Sequence, residues 1–161
     1  KYMKTVKTNA MRLLDRNKIK YSVSLYEHNG NEAVDGISVA NCLNEDPNKV
    51  FKTLVTQANT KEFFVFMLPV NHELNLKKCA KVAGVKKVDM IHVKDINKIT
   101  GYIRGGCSPL GMKKVFSTFI HETALTFDSI YFSGGKIGCQ IQMNPKDLFD
   151  LIPIQAADII Q

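Results

Sequence analysis

The sequence lacks most of what would mark a familiar nucleophile or metal site. Its four cysteines, Cys42, Cys79, Cys107 and Cys139, lie 37, 28 and 32 residues apart, with no Cys-x-x-Cys pair and no His three or four residues from any of them. That spacing argues against a structural zinc site. No secretory signal opens the sequence, so a disulfide framework is not expected either. There is no G-x-x-x-x-G-K-[ST], no G-x-G-x-x-G and no H-E-x-x-H, and His121-Glu122 has no second His after it. Ser108 sits among glycines without forming the G-x-S-x-G nucleophile elbow. Signatures of a nucleotide hydrolase, a metalloprotease and a serine hydrolase are thus missing. No apolar run approaches the ~20 residues of a membrane span. A cytoplasmic protein with no membrane partner is the expectation.

What is present is an ordinary globular composition, 45% hydrophobic and 23% charged over 161 residues. A chain of this length buries roughly two thirds of its unfolded surface and needs no metal or disulfide to fold. No repeat, low-complexity tract or Pro/Gly/Ser-rich linker divides it, so residues 1–161 read as a single domain. The 22 basic side chains against 15 acidic ones leave a net charge of +7. Such a surplus suits a polyanion, since clustered cations displace counterions from phosphates, although a soluble basic surface gives the same number.

Helical and strand periodicities are mixed. The pattern predicts helices over 6–17, after Gly36 as far as Asn44, over 76–83 between an Asn75 cap and a Gly84 stop, over 95–99, and from Asn144-Pro145 through 151. Strands are predicted at 21–26, 50–56, 62–68, 114–120, 129–132, 139–143 and within 154–160, with 50–56 and 62–68 forming a hairpin. Hairpin-linked strands with scattered helices point to an α+β class. The architecture expected is a curved, largely antiparallel sheet or barrel with flanking helices, not a doubly wound parallel sheet.

Three segments could carry chemistry. Lys52 lies in Phe51-Lys52-Thr53-Leu54 with apolar neighbours on both strand faces, so its ammonium must reach solvent, find a partner or face a polar cavity. Residues 101–111 hold four glycines and Pro109 in the order Gly101, Gly105, Gly106, Gly111, which forbids a regular helix or central strand. That loop is either a tight structural turn or a set of backbone N–H groups offered to an anion. Ser133-Gly134-Gly135 reads first as a hairpin turn, with Ser133 able to line a pocket. Lys77, Lys78, Lys81, Lys86, Lys87, Lys113 and Lys114 gather in two stretches that are a solvated face or a phosphate-binding surface. His28, His72, His92 and His121 stand apart from any acid or nucleophile at telling spacing and read as structural.

Together these segments resemble the YbaK/EbsC family of aminoacyl-tRNA deacylases, related to the editing insertion domain of bacterial prolyl-tRNA synthetases. The likeness runs through Tyr26-Glu27-His28, Asp46-Pro47, Val50-Phe51-Lys52-Thr53-Leu54-Val55, Leu76-Lys77-Lys78, Gly84-Val85-Lys86-Lys87-Val88 and Thr100-Gly101-Tyr102. It continues through Gly105-Gly106-x-Ser108-Pro109-Leu110-Gly111, Ile130-Tyr131 and Ser133-Gly134-Gly135-Lys136. F-K-T-L followed by G-G-x-S-P-L-G is the specific part of the resemblance. It implies a pocket for the aminoacyl-adenosine end of a charged tRNA. Lys52 would hold the terminal nucleotide and position the ester, and Gly105 would line the pocket near the reacting carbonyl. Tyr26, Thr53, Gly106, Ser108, Ser133 and Gly134 would bind substrate. The resemblance further implies cysteinyl esters, on tRNA(Pro) or tRNA(Cys), cleaved without metal or cofactor by the substrate's own thiol. A prolyl-tRNA synthetase is the implied companion.

Three residues depart from the family pattern. Asp35 replaces an aromatic found in some relatives, Cys107 a branched aliphatic, and Ile137 a basic residue. They leave amino-acid preference open, with a deacylase for alanyl esters as one alternative. A non-catalytic module that grips tRNA or a synthetase is the other.

Overall fold

The computed structural model describes residues 6–161. Helix α1 (Asn9–Arg16) starts where Thr8 leaves the helical conformation and accepts a hydrogen bond from the Met11 amide. It buries Ala10, Met11 and Leu14 along one side. Strand β1 (Ser22–Leu25) and helix α2 (Gly36–Cys42) follow, the latter capped by Asp35, which accepts from the Ser38 amide. The β2 (Phe51–Ala58) and β3 (Phe63–Pro69) strands form the expected hairpin, in register from Phe51↔Pro69 to Gln57↔Phe63. Helix α3 (Leu76–Ala83) runs from its Asn75 cap to Gly84 in the left-handed conformation at φ 72°, as the sequence predicts. Then come β4 (Val88–Met90), α4 (Ile96–Thr100), β5 (Thr118–His121), β6 (Ile130–Ser133), β7 (Cys139–Met143) and β8 (Ile154–Ala157).

The strands make two sheets in an α+β arrangement, and no barrel closes among the described residues. One sheet has the order β1-β7-β6 and is antiparallel throughout; the other has the order β4-β2-β3-β5-β8. In the larger sheet β4-β2-β3 is antiparallel while β3-β5 and β5-β8 are parallel. A bridge from Val50 to Tyr131 joins the two sheets. The parallel half is covered on both faces, as such strands require. On one side Phe51, Met67 and Ile120 join α1 and the inner residues of the small sheet, Phe132 and Ile141. On the other, Phe66 stacks on Phe119 at 5.4 Å, with Cys79 and Ala80 of α3 over them.

Several elements differ from expectation. The fifth strand begins at Thr118, not 114, because Val115 is 78% exposed and the preceding residues leave the sheet. The segment after Asn144-Pro145 is a 3₁₀ helix (Pro145–Asp150), cut short before Ile152-Pro153, since a residue preceding proline disfavours the helical region. β4 has no counterpart in the reading of the sequence; three residues are too few to show a period. Its shortness matters for function. β4 pairs only with Thr56, Gln57 and Ala58, and the Ile91 amide just after it donates to the Val55 carbonyl at 3.3 Å, so the edge of β2 over residues 51–54 has no hydrogen-bonded strand among the described residues. Among the described residues no helix is long and apolar enough to cross a membrane.

Candidate active site

A cavity of about 500 Å³ opens on that unpaired edge of β2. Val50 and residues 51–55 of β2 form its floor. Tyr26, from the end of β1, and Ser133 and Gln140, from β6 and β7, form one wall; Arg104, Gly105 and Cys107 form another. Ser133 and Gln140 are directly paired across the β6–β7 ladder, so their side chains leave the sheet on the same face.

Lys52 supplies the cation. Its ammonium is 3.5 Å from Glu73, whose side chain is 75% exposed while that of Lys52 is 24% exposed. A pair of that kind contributes little, because water screens the open carboxylate. The lysine is therefore available to a stronger anion. Two residues lining the cavity each bury a polar side-chain atom that has no hydrogen-bond partner among the described residues, Thr53 Oγ1 and Gln140 Oε1. Leaving such an atom unpaired costs about 1–3 kcal/mol, and a polar ligand that supplies the missing bonds recovers it. Ser133 Oγ accepts from the Gly135 amide at 3.2 Å, which leaves its own proton to donate. Burial raises the Tyr26 phenol, against the opposing influence of hydrogen bonds donated to its oxygen by the Gly138 backbone and the Gln140 side chain, so it remains neutral. Cys107 is pushed up to about 11 by burial, only partly opposed by a hydrogen bond with Thr100. A thiol held there is protonated at neutral pH and is a poor nucleophile.

The glycine-rich loop has mixed duties. Tyr102 donates its hydroxyl proton to the Leu110 carbonyl at 2.6 Å, and Ser108 Oγ accepts from the Leu110 amide at 3.3 Å, closing the loop on itself. Gly105 has φ 83°, and a Cβ there would lie 2.8 Å from that of Ala33. Among the described residues its amide finds no acceptor, whereas the Gly106 amide is spent on the Ile103 carbonyl at 2.9 Å.

Tyr26, Lys52, Thr53, Gly105 and Ser133 thus come together around one cavity. Gly106, Ser108 and Gly134 are not among its lining. Ser108 is fully buried, and its hydroxyl serves the turn at Leu110. Gly134 donates to the Cys139 carbonyl at 2.9 Å and closes the β6–β7 connection. Gly106 packs against backbone: a Cβ would approach Cα and C of Lys136 at 2.8 and 2.9 Å. Gly106→Ala is accordingly expected to lower the free energy of unfolding by about 1–3 kcal/mol, as overpacking does. Denaturant titration checks this, and a loss below about 0.5 kcal/mol, the range of an uneventful surface change, would show that the loop has room to spare.

Asp35 makes the wall less polar than its sequence suggests. Its carboxylate is turned onto α2, accepting from Ser38 N at 3.0 Å and Ser38 Oγ at 2.7 Å. Those bonds hold it below the usual carboxylate range. Gln140, Arg104 and Glu73 were not singled out by sequence reasoning. Gln140 could have been found by extending the β6–β7 pairing one residue past Phe132, which sets it opposite Ser133. Glu73 lies 21 residues from Lys52 and gives no local signal.

The chain is similar to known proteins along most of its length. A protein of Enterococcus faecalis (strain ATCC 700802 / V583), named as a proposed Cys-tRNA(Pro)/Cys-tRNA(Cys) deacylase, EbsC, is 46% identical over 154 residues, which span 95% of this chain and 93% of that protein. The fold matches the crystal structure of a hypothetical protein with a TM-score of 0.86 at 18% identity, covering 96% of this chain and 100% of the other. It also matches a structure described as a proposed trans-editing enzyme for prolyl tRNA synthetase, with a TM-score of 0.81 at 19% identity over 98% and 99% of the two chains. The family model for the aminoacyl-tRNA editing domain matches residues 31–151, from the loop before α2 to the end of the last 3₁₀ helix, and with that match and the 46% identity the chain belongs to the aminoacyl-tRNA editing domain family.

Proposed function

We propose that this protein is an aminoacyl-tRNA deacylase that removes cysteine from mischarged tRNA, Cys-tRNA(Pro) or Cys-tRNA(Cys), by attack of the substrate's own thiol on its ester. The observation that carries the reading is a cavity with a weakly engaged cation and two unsatisfied polar atoms but no activated nucleophile among its lining residues. Such a site can bind and orient an ester, and the attacking group must come with the substrate or from water.

In this reading Lys52 holds the phosphate of the terminal nucleotide and Gly105 N–H donates to the ester carbonyl oxygen as negative charge builds on it. Tyr26, Thr53, Ser133 and Gln140 hold the sugar hydroxyls and the amino group. Gly106, Ser108 and Gly134 act from behind the wall by fixing the loops. The thiolate sulfur forms a bond to the carbonyl carbon, the ester C–O bond breaks, and the ribose oxygen leaves with a proton. The resulting thiolactone then hydrolyses in water to cysteine. No metal or cofactor enters these steps. The protein works in the cytoplasm on the 3′ end of tRNA, as the single domain 1–161, with a prolyl-tRNA synthetase as companion.

The competing mechanism uses the enzyme's own thiol, and Cys107 is the cysteine that lines the cavity beside Gly105. Burial pushes the Cys107 thiol up to about 11, so it is protonated at pH 7. Cys107→Ala and Cys107→Ser are expected to keep cysteinyl-tRNA hydrolysis within about threefold of wild type, the chemistry having lost no nucleophile. Single-turnover rates test this. Loss of activity in both variants, with RNA binding and melting temperature retained, would point to an enzyme-bound intermediate.

A further inference from the structure

Two more cavities adjoin the one described, and they differ in charge. The first shares Met90 and Ile91 with it and continues for about 370 Å³ over the β2–β4 corner, lined by Gln57, Asn59, Lys61, Lys87 and His92 with Asp89 and Asp95. The second shares Tyr26, Ala33, Val34 and Asp35 with it and is lined by Glu27, Glu32 and Asp35 with no Lys or Arg. Through these shared residues the two cavities flank the proposed reaction site. On the β2–β4 side the acids are offset: Asp89 is 3.5 Å from Lys87, and exposed Lys86 and Lys94 flank the cavity in sequence. On the opposite arm Asp35 is turned onto Ser38 of α2, and Glu27 and Glu32 have no ion-pair partner among the described residues.

From this asymmetry we infer that the single-stranded RNA preceding the terminal adenosine leaves the site over the β2–β4 corner, its phosphates on Lys61 and Lys87, and that the acidic 27–35 arm closes the opposite exit to RNA. The inference rests on the proposed function, which places the terminal adenosine beside Lys52, and adds the path of the chain behind it. A phosphodiester strand follows a groove of positive potential and needs apolar surface for its base faces. Met90, which lines both cavities, and Val93, which lines the central one, are 45% and 55% exposed and supply that surface. The α3 lysines fit the path less well. Lys78 is bonded to Asp158 at 2.8 Å and to the Ile160 carbonyl at 2.9 Å, and neither it nor Lys77 lines any of the three cavities.

The test is binding of an uncharged RNA minihelix ending in single-stranded A-C-C-A, titrated across salt concentrations with the full chain. Lys61→Ala/Lys87→Ala is expected to weaken binding about tenfold at low salt and to flatten the plot of log affinity against log salt by about 1.4, two contacts of ~0.7 each for single strands. Lys61→Glu alone, which leaves the Lys87–Asp89 pair intact, should move both in the same direction. Glu27→Gln/Glu32→Gln should leave the slope unchanged and the affinity equal or higher. Unaltered affinity and slope in the lysine variants would overturn the path, as would an equal loss in the acidic-arm variant. A failure of the proposed function shows elsewhere: wild-type protein would then hydrolyse no aminoacyl ester in a panel of charged tRNAs, whatever its RNA affinity.

Discussion

Lys52→Ala is expected to slow single-turnover deacylation by about 10–100-fold, the equivalent of losing one charge-assisted hydrogen bond of roughly 1.5–3 kcal/mol. The structure makes this variant unusually clean to interpret. The only ion-pair partner of Lys52 among the described residues is Glu73, and at 75% side-chain exposure that carboxylate remains solvated when the lysine is gone. No buried charge is orphaned, so the melting temperature should hold within a few degrees. The floor of the cavity keeps its other anchors, Phe51 and Val55, both buried in β2. Lys52→Arg separates charge from geometry, since a planar guanidinium does not reproduce the compact ammonium. It should recover only part of the rate. A near-normal rate in a well-folded Lys52→Ala would remove this residue from the site and leave Arg104 as the cation among the cavity-lining residues.

The placement of Lys52 on a cavity floor was partly legible in the sequence and partly not. Its apolar flanks in F-K-T-L mark an awkward place for an ammonium. The cavity that resolves the awkwardness depends on β4 ending its pairing at Thr56, and a three-residue edge strand carries no periodic signal. The β2–β3 hairpin was readable because two apolar runs flank the short polar segment 57–61. The parallel pairing of β3 with β5 was not, since Val65 and Thr118 meet across 53 residues of chain with no local consequence. The unbroken run Phe63–Leu68 did hint at it, because a strand buried on both faces loses its alternation. Ser108 shows the opposite limit. Its place beside Pro109 in a glycine-rich loop looks functional by type, yet its hydroxyl is consumed within the turn. Residue type shows what a side chain can do; only the closed loop shows what it is already doing.

That distinction bears most heavily on the nucleophile, where the expected result is an ordering of substrates. Cysteinyl-tRNA should be hydrolysed at least ~100-fold faster than seryl-tRNA, the difference between a thiol that is partly ionised near neutrality and a hydroxyl that is not. The two side chains differ by one atom and little volume. A pocket that sorts by size separates such neighbours by only ~1–3 kcal/mol, roughly 10–200-fold, so a ratio beyond the upper end of that range requires the sulfur to take part. The site offers no obvious substitute. Cys107 is held near 11 and Cys139 is fully buried with its thiol also raised. Tyr26 is kept neutral by burial, and none of the four histidines lines the cavity. A rate limited by the substrate thiolate should also rise with pH up to the pKa of that thiol, about tenfold per unit below it, without a bell-shaped fall assignable to an enzyme base. Single-turnover hydrolysis of cysteinyl-, seryl- and alanyl-tRNA between pH 6 and 8.5 reads both effects at once. Alanyl-tRNA hydrolysed as fast as cysteinyl-tRNA would show that no side-chain nucleophile is required. The polar atoms left unpaired at Thr53 and Gln140 would then be candidates for holding an attacking water.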